Sequence, residues 1–203
     1  MIKEFLTYDT VRNNALKVAL KISQDGFIPD VIYVLLRGGV YLGNVISEYF
    51  KILQRRKRPV YYAAVVARSY TGVRESSEIK VEGWTYPPDS LRSGDKVLLV
   101  DDIFDTGRTI NHLTNLIIEK GIPREDIKIV VHDYKCFRDK PNVLPIQPDY
   151  WCRKHDLSVN DEDLWIHYSS HELIGLSAEE LATYYYKDAP ELREALHILQ
   201  KDN

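Results

Sequence analysis

The stretch Val97-Leu98-Leu99-Val100-Asp101-Asp102-Ile103-Phe104-Asp105-Thr106-Gly107-Arg108-Thr109 decides the fold. Its first four residues form a continuous apolar run of strand length, as expected of a strand buried on both faces. The run passes directly into two acids, and Thr106-Gly107-Arg108-Thr109 then opens a helical pattern over about 109–120. In a parallel sheet, ligands bind beyond the carboxyl ends of the strands. A helix that begins there points free backbone N–H groups and the positive end of its dipole at an anion. Gly107 lets the backbone come close, and the Thr106 and Thr109 hydroxyls add donors. Two acids fit such a cradle when the anion is a sugar phosphate, because carboxylates accept hydrogen bonds from ribose hydroxyls or hold Mg2+. Three acids and two threonines around one glycine exceed what a simple helix cap requires.

Outward from this segment, the chain repeats a strand–turn–helix rhythm. Upstream, Val11, Ala15, Val18, Ala19 and Ile22 share one helical face over about 9–23, and Gly26 supplies a stop. Val31 to Leu36 is a second apolar run; Arg37-Gly38-Gly39 ends it, and Leu42, Val45, Ile46 and Tyr49 make the next helix amphipathic. Further strands are expected at about 60–66 and 127–131. The predicted class is α/β, a twisted parallel sheet flanked by helices. The polar stretch from about 67 to 95 is too long for an inert connection and reads as a mobile loop that closes over the site. After Lys135 the pattern changes: short strands at Asp149–Cys152 and Leu164–Tyr168 suggest a small lobe over about 136–175. Two helices are expected over 177–203, since Ser177 with Glu180 and Asp188 with Glu191 have capping-box spacing. Helical spacing favours partial burial of Tyr184-Tyr185-Tyr186. The whole is expected to be one domain of 203 residues with a core at about 25–135.

Composition narrows the function. A net charge of −3 argues against an obligate nucleic-acid partner, and the cations in Gln54-Arg55-Arg56-Lys57-Arg58 read as a solvated turn. No run reaches the ~18 apolar residues of a membrane span, and MIKEFLTYD lacks a signal peptide's apolar core. Two cysteines, Cys136 and Cys152, make no disulfide framework and suit a reducing cytoplasm. Zinc is not expected, because Cys152, His155, His167 and His171 match no finger spacing and His171-Glu172 lacks the second His of a zincin. No GxGxxG occurs, and where Gly38 and Gly43 stand at the Walker interval, Asn44-Val45 replaces Lys-Ser/Thr.

VLLVDDIFDTGRT resembles, across its whole length, the 13-residue phosphoribosyl-pyrophosphate signature of type I phosphoribosyltransferases. Further pieces follow in family order over about residues 30–172. Leu36-Arg37-Gly38-Gly39 resembles the pyrophosphate loop, and Arg68-Ser69-Tyr70 with Glu78-Ile79-Lys80-Val81 resembles the mobile loop of the hypoxanthine-guanine branch. Lys135 and Trp165-Ile166 fall where that branch holds its base. The resemblance implies a homodimer or higher homo-oligomer that takes 5-phosphoribosyl-1-pyrophosphate, Mg2+ and a purine base.

The implied reaction displaces pyrophosphate from the anomeric carbon by a purine nitrogen, through an oxocarbenium-like state. By resemblance, Asp101 and Asp102 hold the ribose hydroxyls, with Asp102 also a metal contact. Thr106, Gly107, Arg108 and Thr109 wrap the 5-phosphate, and Arg37, Gly38 and Gly39 take the pyrophosphate behind a peptide that is often cis. Ser69 and Tyr70 close over the sugar. Lys135 donates to the 6-oxygen, Trp165 stacks on the purine and Ile166 offers backbone contacts. Asp105 discriminates among acceptors: the 6-oxopurine branch carries an acid here for proton transfer at the imidazole nitrogen, whereas adenine- and orotate-specific relatives carry a neutral residue. Relatives also place an aspartate six or seven residues after the stacking aromatic; here His171 and Glu172 stand there. Either Glu172 serves as a longer carboxylate, or the guanine contact and a metal site are lost, which leaves the preferred base among hypoxanthine, guanine and xanthine open. Alternatives are a type I transferase for another base, and a non-catalytic regulator that senses the sugar pyrophosphate.

Overall fold

The computed structural model describes residues 2–53, 59–70, 78–139, 144–169 and 172–197, with backbone alone at 68–70 and 78. The basic cluster, the tip of the expected mobile loop and His171 lie outside these residues. Contacts divide the chain into two compact units, one of Asp9–Asp161 and one that joins Met1–Tyr8 to Glu162–Asn203.

The larger unit is built on a six-stranded sheet. Its strands are β2 (Val31–Leu36), β3 (Tyr61–Tyr70), β4 (Glu78–Trp84), β5 (Val97–Phe104), β6 (Ile127–Phe137) and β7 (Tyr150–Leu157). Their order across the sheet is β4-β3-β2-β5-β6-β7; the β3–β4 pair is antiparallel and every other pair parallel. The apolar runs of β2 and β5 stand at its centre, and Val31, Ile32, Tyr33, Val97, Leu98, Leu99 and Val100 have no exposed surface. Each buried aliphatic side chain there contributes about 1.5–3 kcal/mol. Helices α1 (Tyr8–Gln24) and α2 (Gly39–Leu53) cover one face, with Ala15, Val18, Ile22, Leu42, Ile46 and Phe50 packed on Ile32, Val34, Leu98 and Val100. Helix α3 (Arg108–Glu119) covers the other, where Ile110, Leu113 and Ile117 meet Tyr33, Leu99 and Ile129. The buried residues of α1 are the five that its sequence periodicity selects.

The smaller unit pairs β1 (Ile2–Leu6) in parallel with β8 (Leu164–Tyr168), in register from Ile2↔Leu164 to Leu6↔Tyr168. Ser177 and Glu180 form the expected capping box at α4 (Ala178–Leu181), whose chain continues into a π-helical turn over Ala182–Tyr186. Leu176, Leu181 and Tyr186 form its core; Tyr184 stacks on Phe5 at 3.8 Å, and Tyr185 is half-buried.

Several expectations change. Residues 150–152 belong to β7, the edge strand of the large sheet, not to a separate lobe. β3 runs to Tyr70 and β4 returns antiparallel to it, so much of the 67–95 segment is sheet rather than loop. Gly83 and the polar partners Lys80 and Glu82 hide that strand in the sequence, yet Val81 and Trp84 pack on the core, Trp84 edge-on to Tyr33 at 4.8 Å. β5 and β6 extend past their apolar runs because they continue to pair as far as Phe104↔Tyr134. Lys135 therefore lies within a strand rather than in the loop after one. No capping box forms at 188–191: α5 (Leu192–Ala195) starts from Glu191 without a side-chain cap.

Candidate functional site

The carboxyl ends of β2 and β5 bring two loops of the larger unit together. Between β2 and α2 the chain turns through Arg37, Gly38 and Gly39, with the Val40 N–H donating to the Arg37 carbonyl at 3.3 Å. The Leu36–Arg37 peptide is cis, as the family likeness leads one to expect. A β-carbon on Gly39 would stand 2.4 Å from the Val100 carbonyl oxygen, and one on Gly38 would strike the Asp102 carboxyl group. Only glycine permits this approach, so the Arg37-Gly38-Gly39 turn lies directly against Asp101-Asp102.

The second loop, Asp105-Thr106-Gly107, leads from β5 into α3. Gly107 takes φ +69°, a left-handed conformation, and its α-carbon packs so closely on Phe104 that a β-carbon would lie 2.3 Å from Cζ of the ring. Both facts require glycine. Gly107 is the N-cap of α3, and a glycine offers no side-chain cap to the first-turn N–H groups. These amides line a cavity of about 160 Å3 together with Asp101, Ile103, Phe104, Asp105 and Thr106. Asp105, Thr106 and Arg108 are exposed and Thr109 is half-buried.

Asp101 and Asp102 are half-buried at the end of β5. Each carboxylate accepts a backbone N–H, Asp101 from Asp102 at 3.0 Å and Asp102 from Ile103 at 2.8 Å. Burial, reinforced by the charge of Asp102, pushes the Asp101 carboxyl well above the usual carboxylate range. Two adjacent acids with one held above its ordinary range form a position short of positive charge. Ribose hydroxyls and a hard divalent cation both answer that shortage. Among the described residues no group of three or more His, Cys, Asp or Glu converges to hold an ion by itself. The Asp101-Asp102 pair fits Mg2+, which typically binds one or two carboxylates and completes its shell with water and substrate phosphates.

The profile of the phosphoribosyl transferase domain matches residues 6–150. The chain belongs to this family. Like type I phosphoribosyltransferases, it has a mostly parallel sheet flanked by helices, with the signature at the end of a central strand. It is 30% identical over 161 residues to the bifunctional protein PyrR of Microcystis aeruginosa, covering 78% of this chain and 86% of that one. It is 33% identical over 87 residues to a hypoxanthine-guanine phosphoribosyltransferase of Lactococcus lactis, covering 42% of each. A purine phosphoribosyltransferase of Pyrococcus horikoshii shares the fold with TM-score 0.65 and 21% identity, over 87% of this chain and 99% of the other.

Within this phosphoribosyltransferase the remaining candidates are distributed as follows. Ser69 and Tyr70 end β3, their backbones paired with Ile79 and Glu78, while their side chains lie outside the described residues. Lys135 is half-buried on β6. Trp165, Ile166 and Glu172 belong to the smaller unit. Trp165 is 47% exposed, which rules out a role as a core aromatic, whereas Ile166 is buried. Glu172 turns back into its own unit: Oε2 accepts the Tyr168 N–H at 3.3 Å and lies 3.4 Å from His167 Nδ1. Tyr185 ties this corner, with its hydroxyl 3.0 Å from His167 Nε2 and donating to the Glu172 carbonyl at 3.2 Å.

Sequence reading missed a buried polar cluster on β6 and β7, made of His132, Asp133, Arg153 and His155. The signal was an imidazole and a carboxylate, His132-Asp133, directly following the apolar run Ile129-Val130-Val131 within one strand.

Proposed function

We propose that the protein transfers the 5-phosphoribosyl group from 5-phosphoribosyl-1-pyrophosphate to a 6-oxopurine, with Mg2+, and releases pyrophosphate. The observation that carries this reading is Asp105. It stands exposed on the cavity between the strand end and the phosphate-binding turn, and makes no hydrogen bond or ion pair among the described residues. An acid placed there without a structural partner is suited to proton transfer.

The residues divide the work by position. The first-turn amides of α3, with Thr106 and Thr109, bind the 5-phosphate. Asp101 and Asp102 hold the ribose hydroxyls. Arg37 and the Gly38 and Gly39 amides hold the leaving pyrophosphate. As the base nitrogen bonds to the anomeric carbon, the C–O bond breaks and its electron pair leaves with pyrophosphate. Asp105 takes the proton that the imidazole ring gives up. The Lys135 ammonium donates to the 6-oxygen, on which charge accumulates as that proton leaves. Asp102 is the residue placed to hold Mg2+, which when bound neutralises pyrophosphate and the developing charge on it. In the smaller unit, Trp165 offers an indole face half open to solvent, as stacking on a purine requires.

A second reading has a specific observation in its favour. The PyrR relative matches over 78% of this chain and the hypoxanthine-guanine transferase over 42%. That supports a type I transferase for another base, or a sensor of the sugar pyrophosphate. Nucleotide formation with hypoxanthine, guanine, xanthine, adenine and the pyrimidine bases, with and without Mg2+, separates these readings. Turnover of a 6-oxopurine that requires Mg2+ is expected. Adenine or a pyrimidine as sole acceptor would overturn the Asp105 argument, and no turnover with any base would favour the sensor reading.

A further inference from the structure

The transfer chemistry above makes no use of the polar cluster on β6 and β7. The β5–β6 ladder runs to Asp101↔Val131 and resumes at Ile103↔Asp133; the β6–β7 ladder runs to Val131↔Trp151 and resumes at Asp133↔Arg153. Val131, Tyr134 and Cys136 all pack in the α3-side core. Since Val131 and Tyr134 are three residues apart, strand alternation shifts by one at His132. His132 and Asp133 consequently face the same side of the sheet, where Nδ1 and Oδ2 meet at 2.6 Å. Asn14 of α1 approaches His132 Nε2 at 3.1 Å. The Asn14 amide donates to that nitrogen, which leaves the ring proton on Nδ1, facing the carboxylate.

Beyond the shift, alternation places Lys135 on the same side as Asp133, two residues along, and Lys135↔His155 is a register pair. An ammonium and a carboxylate so placed lie within reach of each other, given the length of a lysine side chain. They do not pair. Among the described residues Lys135 makes no hydrogen bond or ion pair. Asp133, which has no exposed side-chain surface, gives Oδ1 to Arg153 Nε at 2.7 Å and to His155 Nε2 at 2.6 Å. With His132 on Oδ2, both oxygens are occupied. A buried carboxylate deprived of these donors would draw in a cation within reach, and Lys135 stands two residues along on the same side.

We infer that Arg153 and His155 are positioning residues: by saturating Asp133 they keep the Lys135 ammonium uncommitted, so that it can donate to the exocyclic oxygen of the acceptor base. The inference rests on the reading of Lys135 as a base contact. It assigns acceptor selectivity in part to two side chains on the sheet's edge strand, which need never touch the base.

The test joins kinetics to amine labelling. Arg153→Met combined with His155→Phe removes both competitors. Loss of a charge-assisted hydrogen bond to the base should then raise the KM for the 6-oxopurine roughly ten- to a hundredfold, with the KM for the sugar pyrophosphate unchanged. Acetylation of Lys135 by acetic anhydride, read by mass spectrometry, should slow as the ammonium pairs with Asp133. Adding Asp133→Asn to the double variant removes the trap and should restore both readouts, whereas a merely structural clamp gains nothing from that change. His155→Gln alone retains an N–H donor and should keep the wild-type pattern, which guards against a double variant that fails to fold. Unchanged labelling of Lys135 in the double variant would overturn the inference, as would a defect that Asp133→Asn leaves in place. If the wild-type protein turns over no 6-oxopurine while labelling follows the expected pattern, the proposed acceptor falls and the saturation of Asp133 stands.

Discussion

A β-carbon on Gly38 would lie 2.2 Å from Cγ of Asp102, well inside any non-bonded contact distance. The turn proposed for pyrophosphate and the acid proposed for ribose and metal are thus packed directly against each other. Gly38→Ala must displace the Asp102 carboxyl group. Misplacement on the order of 1 Å at a reacting centre costs about a hundredfold in rate, so kcat/KM for the sugar pyrophosphate should fall by roughly that factor. Steady-state kinetics at saturating base checks it, with thermal unfolding as the control for a global effect.

Asp105 makes a sharper case, because among the described residues it has no structural partner to lose. Asp105→Asn should leave binding of 5-phosphoribosyl-1-pyrophosphate intact and lower kcat by about a hundredfold or more, the usual contribution of a positioned acid–base group. Equilibrium binding of the sugar pyrophosphate beside turnover of hypoxanthine separates the two effects. Near-normal turnover would remove the proton-transfer role.

The sequence reading and the structure part company where alternation is disturbed or polar residues occupy a strand. The buried runs of β2 and β5, and the helical face of α1, follow from side-chain period alone; the ends of β2 and α1 agree closely with the structure, while β5 continues four residues past its run to Phe104. Gly107 was recognisable as a close-approach position because phosphate-binding turns need bare backbone, whereas Gly38 and Gly39 were placed only by their resemblance to the family's pyrophosphate loop. The antiparallel return of β4 was not recognisable, since Lys80, Glu82 and Gly83 give it the composition of a loop. Nor was the inward turn of Glu172. Spacing after Trp165 places an acid at that position, but only the folded corner shows its carboxylate held by the Tyr168 N–H beside His167. The Asp133 cluster was invisible for a related reason: its partners Arg153 and His155 come from a strand that reads as part of a separate lobe.

Cys152 gives a prediction with a defined pH dependence. Burial, with the charge of Asp133 adding to it, pushes this thiol from 9.0 up to about 12. A folded-state value above the unfolded one means that the neutral thiol stabilises the fold fully below pH 9.0, and that this contribution is lost as pH rises toward about 12. The difference in unfolding free energy between the wild type and Cys152→Ala should therefore narrow between pH 8 and pH 11. Denaturant titrations of both proteins at each pH measure it. At about pH 8 Cys152 should also resist alkylation until the protein is unfolded.

Tyr33 has no exposed surface, and its hydroxyl finds no hydrogen-bond partner among the described residues. An unmatched buried hydroxyl costs about 1–3 kcal/mol. Tyr33→Phe retains the ring contact with Trp84 and removes that cost, so the melting temperature should stay level or rise by several degrees. A fall of similar size would show that the hydroxyl has a partner in solution.

The pairing of Ile2 with Leu164 also decides which parts of this protein can exist alone. The sheet that presents Trp165 takes one strand from either side of the entire Asp9–Asp161 unit, so no contiguous fragment contains it. A piece cut to begin near residue 162 would carry β8 with an unmated edge, whereas a piece cut to end there would leave β1 exposed in the same way. Joining residue 203 to residue 1, in a circularly permuted chain that opens elsewhere, would replace the Asp9–Asp161 excursion between the two strands by the shorter segment after β8, which can serve as the crossover a parallel pair needs. Such a chain should form the Trp165 strand sooner after the start of folding, because it has far less loop to close.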